Sequence, residues 1–198
     1  MLSTRSRRFV TAPAVAGLLV GSWLSTRAIA QTASNSPRER FTAIAVNIST
    51  VGRTGATPVD ITINRWTTDA ERDRLVSIFK EKGSKSLLSA LQDMKPVGTI
   101  NTPGNVAYDL RYARQLAGED GGRQIILATD RPIGFWEASA QPRSVDYPFL
   151  LMEMRLNKNG EGEGKLSLAT KLTLKDNVLV IENYANQPVM LNEVKQKK

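Results

Sequence analysis

The chain has 198 residues, with 27 Lys and Arg against 19 Asp and Glu, a formal net charge of +8, and neither cysteine nor histidine. The missing residue types exclude disulfides, zinc sites of the Cys/His type, and nucleophilic sites of the Ser–His–Asp or Cys–His kind. An enzyme mechanism would have to use carboxylates, Lys, Tyr, Arg or a metal bound through oxygen. We predict no metal site and no cofactor.

Residues 1–30 have the pattern of a cleavable secretion signal. Three arginines precede an uncharged stretch at residues 9–24, and Ala28 and Ala30 form a small-x-small cleavage site. The uncharged stretch is shorter than the roughly 20 apolar residues of a spanning helix, although a retained anchor is an alternative. Cleavage after Ala30 predicts a periplasmic or extracellular protein without a transmembrane segment, exported by the general secretory or the twin-arginine route.

Cleavage would also lower the formal net charge from +8 to +4, because residues 1–30 hold four arginines and no acidic residue. Residues 195–198 carry the one basic run in the rest of the sequence, and we expect it to lie in solvent. Nucleic-acid binding requires a clustered basic footprint. The sequence therefore predicts no nucleic-acid partner.

Residues 41–198 predict a single domain that follows a flexible lead-in at residues 31–40. Residues 41–48 alternate, and residues 59–66 alternate again after a Gly- and Thr-rich loop, which predicts two strands. One face of the first strand carries Thr42, Ile44, Val46 and Ile48, and one face of the second carries Val59, Ile61 and Ile63.

A helical hairpin is predicted at about residues 68–95. Thr68 is a candidate N-cap, Leu75 and Phe79 recur at helical spacing, and Gly83 is a candidate end for the first helix. A second apolar stripe follows and ends at Pro96. We expect both stripes to pack on the sheet.

The rest of the domain predicts strands joined by short turns. These strands are expected at residues 97–101, 106–116, 123–129, 148–156, 165–174, 178–184 and 189–194. Short turns require antiparallel pairing, and about nine antiparallel strands in one domain close into a barrel or split into a sandwich. The predicted fold class is therefore β-rich (α+β), a barrel or sandwich with one inserted helical hairpin.

The first candidate for a binding site is the strand at residues 106–116. Alternation places Tyr108 and Tyr112 on one face, where their rings could stack on a ligand, and Arg111 on the other, where it could bind an anion. An ordinary strand with Asp and Arg paired across its wet face is the alternative interpretation.

The second candidate is the segment at residues 129–136. It holds Asp130, Arg131, Phe135 and Trp136 in a stretch broken by Pro and Gly, and loops of this composition often serve recognition. Alternatively, the two aromatic rings attach the loop to the core. The strand at residues 148–156 has an apolar face with two methionines, which could line a hydrophobic cavity or form plain core.

Residues 65–83, together with residues 102–104, 128–136 and 182–184, resemble a family of exported bacterial proteins to which no activity is attached. The resemblance covers most of the chain after residue 30. It implies export and a single domain, and it assigns no catalytic residue.

These observations favour a non-catalytic binding or cell-envelope protein. Its expected partner is a small apolar or amphipathic ligand or another envelope protein. The alternative is a carboxylate-based hydrolase or isomerase that uses two of the acids Asp109, Asp130, Glu137 and Glu153. Glycoside cleavage would need two carboxylates separated by about 5–5.5 Å or about 6.5–9.5 Å.

Overall fold

The structure is a computed structural model that describes residues 37–49, 54–118, 121–130, 147–175, 178–183 and 187–198. These ranges contain ten strands, all paired antiparallel, and one helix, α1, at Asp69–Gln92. The β-rich prediction is confirmed. The strands are β1 Glu39–Asn47, β2 Gly55–Ile63, β3 Gly98–Asn101, β4 Tyr108–Leu110, β5 Tyr112–Ala117, β6 Arg123–Thr129, β7 Phe149–Leu156, β8 Glu161–Lys175, β9 Val178–Asn183 and β10 Val189–Lys197.

The sheet forms a nearly closed barrel. Its strand order is β4-β3-β2-β1-β10-β8-β7-β6-β5, and β9 pairs with the far end of β8. β4 and β5 lie at opposite edges of this order, yet only Arg111 separates them in the chain. The Arg111 amide donates to the Ala128 carbonyl of β6 at 3.0 Å, so the sheet has curled until its two edges meet. Of the two predicted architectures, the structure has the barrel.

The connection between β2 and α1 covers the narrow gap where the edges meet. Thr67 donates from its amide to the Ala113 carbonyl at 2.8 Å, and its hydroxyl accepts from the Ala113 amide at 3.0 Å. Trp66 is buried beside it in the main core. The Trp66 ring therefore packs in the core next to the place where the two edges of the sheet meet.

Arg111 also reverses the alternation that the sequence suggested for residues 106–116. Leu110 and Ala113 are both fully buried in the main core, although they are three positions apart. Two consecutive residues, Arg111 and Tyr112, therefore lie outside the barrel. The prediction that Tyr108 and Tyr112 share a face is wrong, because Tyr108 belongs to the main core and Tyr112 packs against the cluster under α1.

Side chains fill the barrel interior. Met152 and Met154 of β7 are 1% and 0% exposed, so this apolar strand face belongs to the main core. The predicted face of β2 is buried as well. The largest fully buried side chains are Phe41, Phe149, Ile61, Ile63, Ile100, Leu110, Ile125, Leu127, Leu150, Met152 and Met154.

β1 buries the face opposite to its row of branched residues. Phe41, Ala43 and Ala45 point into the core, whereas Ile44 is half-buried and Ile48 is 65% exposed. Small side chains on one strand leave room for the large ones that project from other strands, as a narrow barrel requires. The residue types of a single strand therefore do not show which of its two faces is buried.

α1 packs on the outside of the barrel and is one helix with a break, where a hairpin was predicted. Thr68 is its N-cap, and Thr68 and Glu71 form a reciprocal capping box. Gly83 has φ of 76° and interrupts the helical geometry. Within the described residues, no helix has the length and apolar content that a membrane crossing would require. A second core joins α1 to the sheet through Leu75, Ala90, Leu91, Met94, Phe149 and Leu172.

Candidate functional site

A cavity of about 140 Å³ opens at the end of the barrel where β1 stops and β2 starts. Its floor is apolar and its rim is polar. We call it the barrel-end cavity. The floor consists of Ala45, Val59, Leu166 and Val189, and the rim consists of Asn47, Gly55, Thr57, Thr102, Pro103 and Asn105.

The last residue of β1 forms one wall of the barrel-end cavity. Asn47 is 4% exposed, and its Oδ1 accepts from the Ser49 amide at 3.0 Å and from the Ser49 hydroxyl at 2.8 Å. This local hydrogen-bond pattern is typical of Asn at the start of a turn. The Asn47 amide group is thereby held in a fixed orientation at the rim.

The turn between β3 and β4 forms the opposite wall. The Asn105 amide donates to the Thr102 carbonyl at 3.1 Å, and Gly104 has φ of 79°, as expected for a type II turn with Pro103 before the glycine. The Asn105 side chain also donates to the Thr102 hydroxyl at 2.9 Å. Both polar side chains are therefore positioned by the turn that carries them.

Among the described residues, no ionisable side chain lines the barrel-end cavity. Its chemistry consists of amide and hydroxyl groups above an apolar floor, which suits a neutral amphipathic molecule. A cavity of about 150 Å³ is large enough for one benzene. The site can bind by burial and hydrogen bonding, and its described lining residues offer no acid or base for catalysis.

Arg111, predicted from sequence to bind an anion, has acidic neighbours of its own. Its guanidinium lies 3.5 Å from Asp109 and 3.6 Å from Asp130, and its Nη1 donates to the Met94 carbonyl at 2.8 Å. The Arg111 Nε is buried and has no hydrogen-bond partner among the described residues. Two carboxylates thus compensate the positive charge that was expected to attract a ligand.

The two predicted tyrosines do not form a common site. Tyr108 is 9% exposed inside the barrel, and Tyr112 lies outside it under α1. Burial raises the pKa of the Tyr112 phenol above its ordinary value, although the charges of Arg114 and Arg72 offset part of this effect. Stacking of one ligand between the two rings is therefore excluded by their positions.

Of the other residues that the sequence predicted for a site, the structure describes only Asp130 and Glu153. Asp130 directly follows β6, and its side chain is 14% exposed. Arg131, Phe135 and Trp136 lie outside the described residues, as does Glu137. Glu153 accepts hydrogen bonds from Gln124 and Arg155 on the outer side of the sheet, so it does not join the pair at Arg111.

No group of three or more acidic side chains that could hold a metal ion occurs in the part of the chain that the structure describes. The residues that sequence reasoning missed are Asn47, Thr102 and Asn105. A local signal existed for the last two, since Pro-Gly after Thr102 predicts a tight turn. Nothing in the sequence indicates that this turn faces Asn47.

The chain matches no protein-family model, no curated protein and no solved structure.

Proposed function

We propose that this protein is a non-catalytic binding protein whose barrel-end cavity holds a small, neutral, amphipathic ligand. The observation that carries the proposal is the described lining of that cavity, which combines an apolar floor with amide and hydroxyl groups and includes no charged side chain. A ligand would place its apolar part against Leu166 and Val189 and its polar part near Asn47 and Asn105. We propose that it acts in the periplasm or outside the cell.

The cavity walls favour binding without a large rearrangement. Asn47 and Thr102 are 4% and 3% exposed, and each has a hydrogen-bonded neighbour that orients it. A preformed site loses little conformational entropy when its ligand arrives. The ligand must be small, because the cavity has a volume of about 140 Å³.

A carboxylate-based hydrolase or isomerase has less support than a binding protein. The acids that come together, Asp109 and Asp130, share Arg111 between them and lie outside the lining of the barrel-end cavity. A general acid and a general base both have to reach the reacting atoms of a substrate. A guanidinium shared by both carboxylates takes the place where that substrate would lie.

The proposal can be tested with a panel of neutral phenols, short alcohols and small amides, with charged analogues alongside. We expect neutral members to raise the melting temperature and to shift the backbone NMR signals of Asn47, Thr102 and Asn105. Charged analogues should have weaker effects, because burial of an unpaired charge is costly. Signal changes spread over α1 but absent from the cavity rim would contradict the proposed site.

A matched pair of variants distinguishes ligand binding in the cavity from binding elsewhere on the surface. Ala45→Leu fills the floor, whereas Ala56→Leu adds the same atoms to an exposed position of the neighbouring strand. We expect Ala45→Leu to abolish the ligand-induced shift and Ala56→Leu to retain it. Retained binding in a folded Ala45→Leu protein would disprove the proposed site.

A further inference from the structure

Basic residues that are remote in the sequence converge on the outer surface where β1 begins and β10 ends. Antiparallel pairing places Arg40 opposite Lys197 and Thr42 opposite Lys195. Arg38 and Lys198 extend the same surface. We call this surface the basic face, and its five basic residues are Arg38, Arg40, Lys195, Lys197 and Lys198.

The pairing of Arg40 with Lys197 is electrostatically unfavourable, since like charges directly opposite each other destabilise a sheet. Among the described residues, no acidic side chain comes within ion-pair distance of any member of the basic face. All five side chains are exposed. The fold therefore concentrates positive charge at a place where the described residues provide no ion-pair partner for it.

The basic face surrounds an open, shallow groove of about 440 Å³. Arg40 and Lys197 line it together with the half-buried Thr62, and Asp60 contributes the one acidic side chain of its lining. Guanidinium, ammonium and hydroxyl groups are the donors that proteins use for phosphate oxygens. The groove is therefore chemically suited to the phosphate of a headgroup.

We propose that the basic face docks on an anionic lipid bilayer, with lipid phosphates in the groove between Arg40 and Lys197. The predicted export of the chain favours a bilayer over a nucleic acid, because an exported protein meets the anionic lipid surface of the membrane that it has crossed. Clustered Lys and Arg side chains are attracted to such a surface by about 1 kcal/mol for each basic residue near it.

This docking is independent of ligand binding in the barrel-end cavity. The basic face lies at the start of β1, and the cavity lies at its end. A bilayer on the basic face would leave the cavity open at the other end of the barrel. Failure of either proposal therefore leaves the other intact.

The test uses the chain from residue 31 to 198, which retains every described strand and both core clusters, since these begin at Glu39. Flotation is measured with vesicles of phosphatidylcholine alone and with vesicles that also contain phosphatidylglycerol. We expect binding to the anionic vesicles only, and we expect it to weaken as salt screens the charges. Equal binding to both kinds of vesicle would overturn the proposal.

Paired charge variants locate the docking surface. Arg40→Gln combined with Lys197→Gln should weaken binding to the anionic vesicles about fivefold for each charge removed. Lys80→Gln combined with Lys85→Gln removes the same total charge from exposed positions of α1 and should leave binding unchanged. An equal loss in both variants would show that net charge alone is responsible, which contradicts a specific face.

A competition experiment decides between the lipid and a nucleic acid. A duplex DNA oligonucleotide is added to protein on anionic vesicles at a fixed salt concentration. We expect the protein to remain on the vesicles at an equal concentration of phosphate groups. Complete transfer to the DNA would overturn the proposed bilayer partner and identify the basic face as a polynucleotide site.

Discussion

Arg123 of β6 and Glu39 of β1 form an ion pair across one end of the barrel, although 84 positions separate them in the chain. The Arg123 guanidinium lies 5.5 Å from the centre of the Phe41 ring and donates to Gln115 at 2.9 Å. Gln196 of β10 donates to the same Glu39 carboxylate at 3.0 Å. These contacts connect four strands and close this end of the barrel.

We therefore expect Glu39→Ala to lower the free energy of unfolding by about 2 kcal/mol, because it leaves a partly buried guanidinium without its charge partner. Glu153→Ala is the control, since it removes a carboxylate that pairs with the exposed Arg155. The control should cost less than about 1 kcal/mol. Urea titrations of both variants measure the difference, and equal losses would contradict a special role for Glu39.

Gly98 of β3 has no room for a side chain. A Cβ at this position would lie 2.1 Å from the Thr62 carbonyl oxygen of the neighbouring β2. Gly98→Ala must therefore push β3 away from β2, and we expect a loss of about 2 kcal/mol or more. Thr99→Ala alters the next position without this clash and should cost less. Thermal unfolding compares the two variants, and similar melting temperatures would argue against the close approach.

Glu71 makes stability depend on pH in the acid range. Burial raises the pKa of its carboxyl group, but hydrogen bonds from Arg65 and Thr68 and the Arg65 charge outweigh this effect, so the pKa lies below its ordinary value of 4.5. A group whose pKa is lowered by folding stabilises the protein above the unfolded value, and this stability is lost as the pH falls through the folded value.

We expect the Glu71 contribution to the free energy of unfolding to be complete above about pH 4.5 and to decline below it. Glu71→Gln should reduce the slope of stability against pH in that window. Urea titrations at several pH values measure the slope. An unchanged slope in the variant would contradict the assignment to Glu71.

Tyr112 produces the opposite dependence in the alkaline range. Burial raises the pKa of its phenol above 10.0, so the unfolded chain releases this proton at a lower pH than the folded protein does. Stability should therefore fall as the pH rises from about 10 through the folded value. Tyr112→Phe should remove this fall. Phenolate absorbance during an alkaline titration should show a late-titrating component in the parent protein that is missing from the variant.

The hairpin of β8 and β9 exposes apolar side chains beside an edge strand. Leu174 lies opposite Leu179, and both are more than a third exposed, as is Ile181. In the described part of the chain, β9 pairs only with β8. Exposed apolar edges of this kind promote association between molecules.

Leu179→Thr combined with Ile181→Thr keeps the β-propensity of β9 and removes its apolar surface. We expect the double variant to stay monomeric at protein concentrations where the parent chain associates. Val106→Thr, at an isolated position that is 85% exposed, serves as the control and should behave as the parent does. Sedimentation velocity measures the association. Unchanged association of the double variant would exclude the hairpin as its cause.

The sequence predicted most strand positions because alternation and turn residues are local signals. β6 was predicted with its observed bounds. The break at Gly83 was also predictable from the sequence, because this glycine lies between two apolar stripes. Each of these features depends on a few consecutive residues, so periodicity was sufficient to find it.

Features that depend on barrel closure were not predictable. Arg111 and Tyr112 both lie outside the barrel only because the strand changes its partner from β3 to β6 at that point. The barrel-end cavity needs Asn47 to face Thr102, and the basic face needs Arg40 to face Lys197. A single sequence carries no signal for such pairs, because the residues involved lie on strands far apart in the chain.

The pairing of β1 with β10 also determines when this protein can fold. Among the described strands, β1 leaves the ribosome first and its partner β10 emerges last. Until then Phe41 and the buried face of β2 have no complete core to enter. We therefore expect folding to be late and slowed by its many contacts between distant parts of the chain, with the early strands dependent on protection from aggregation.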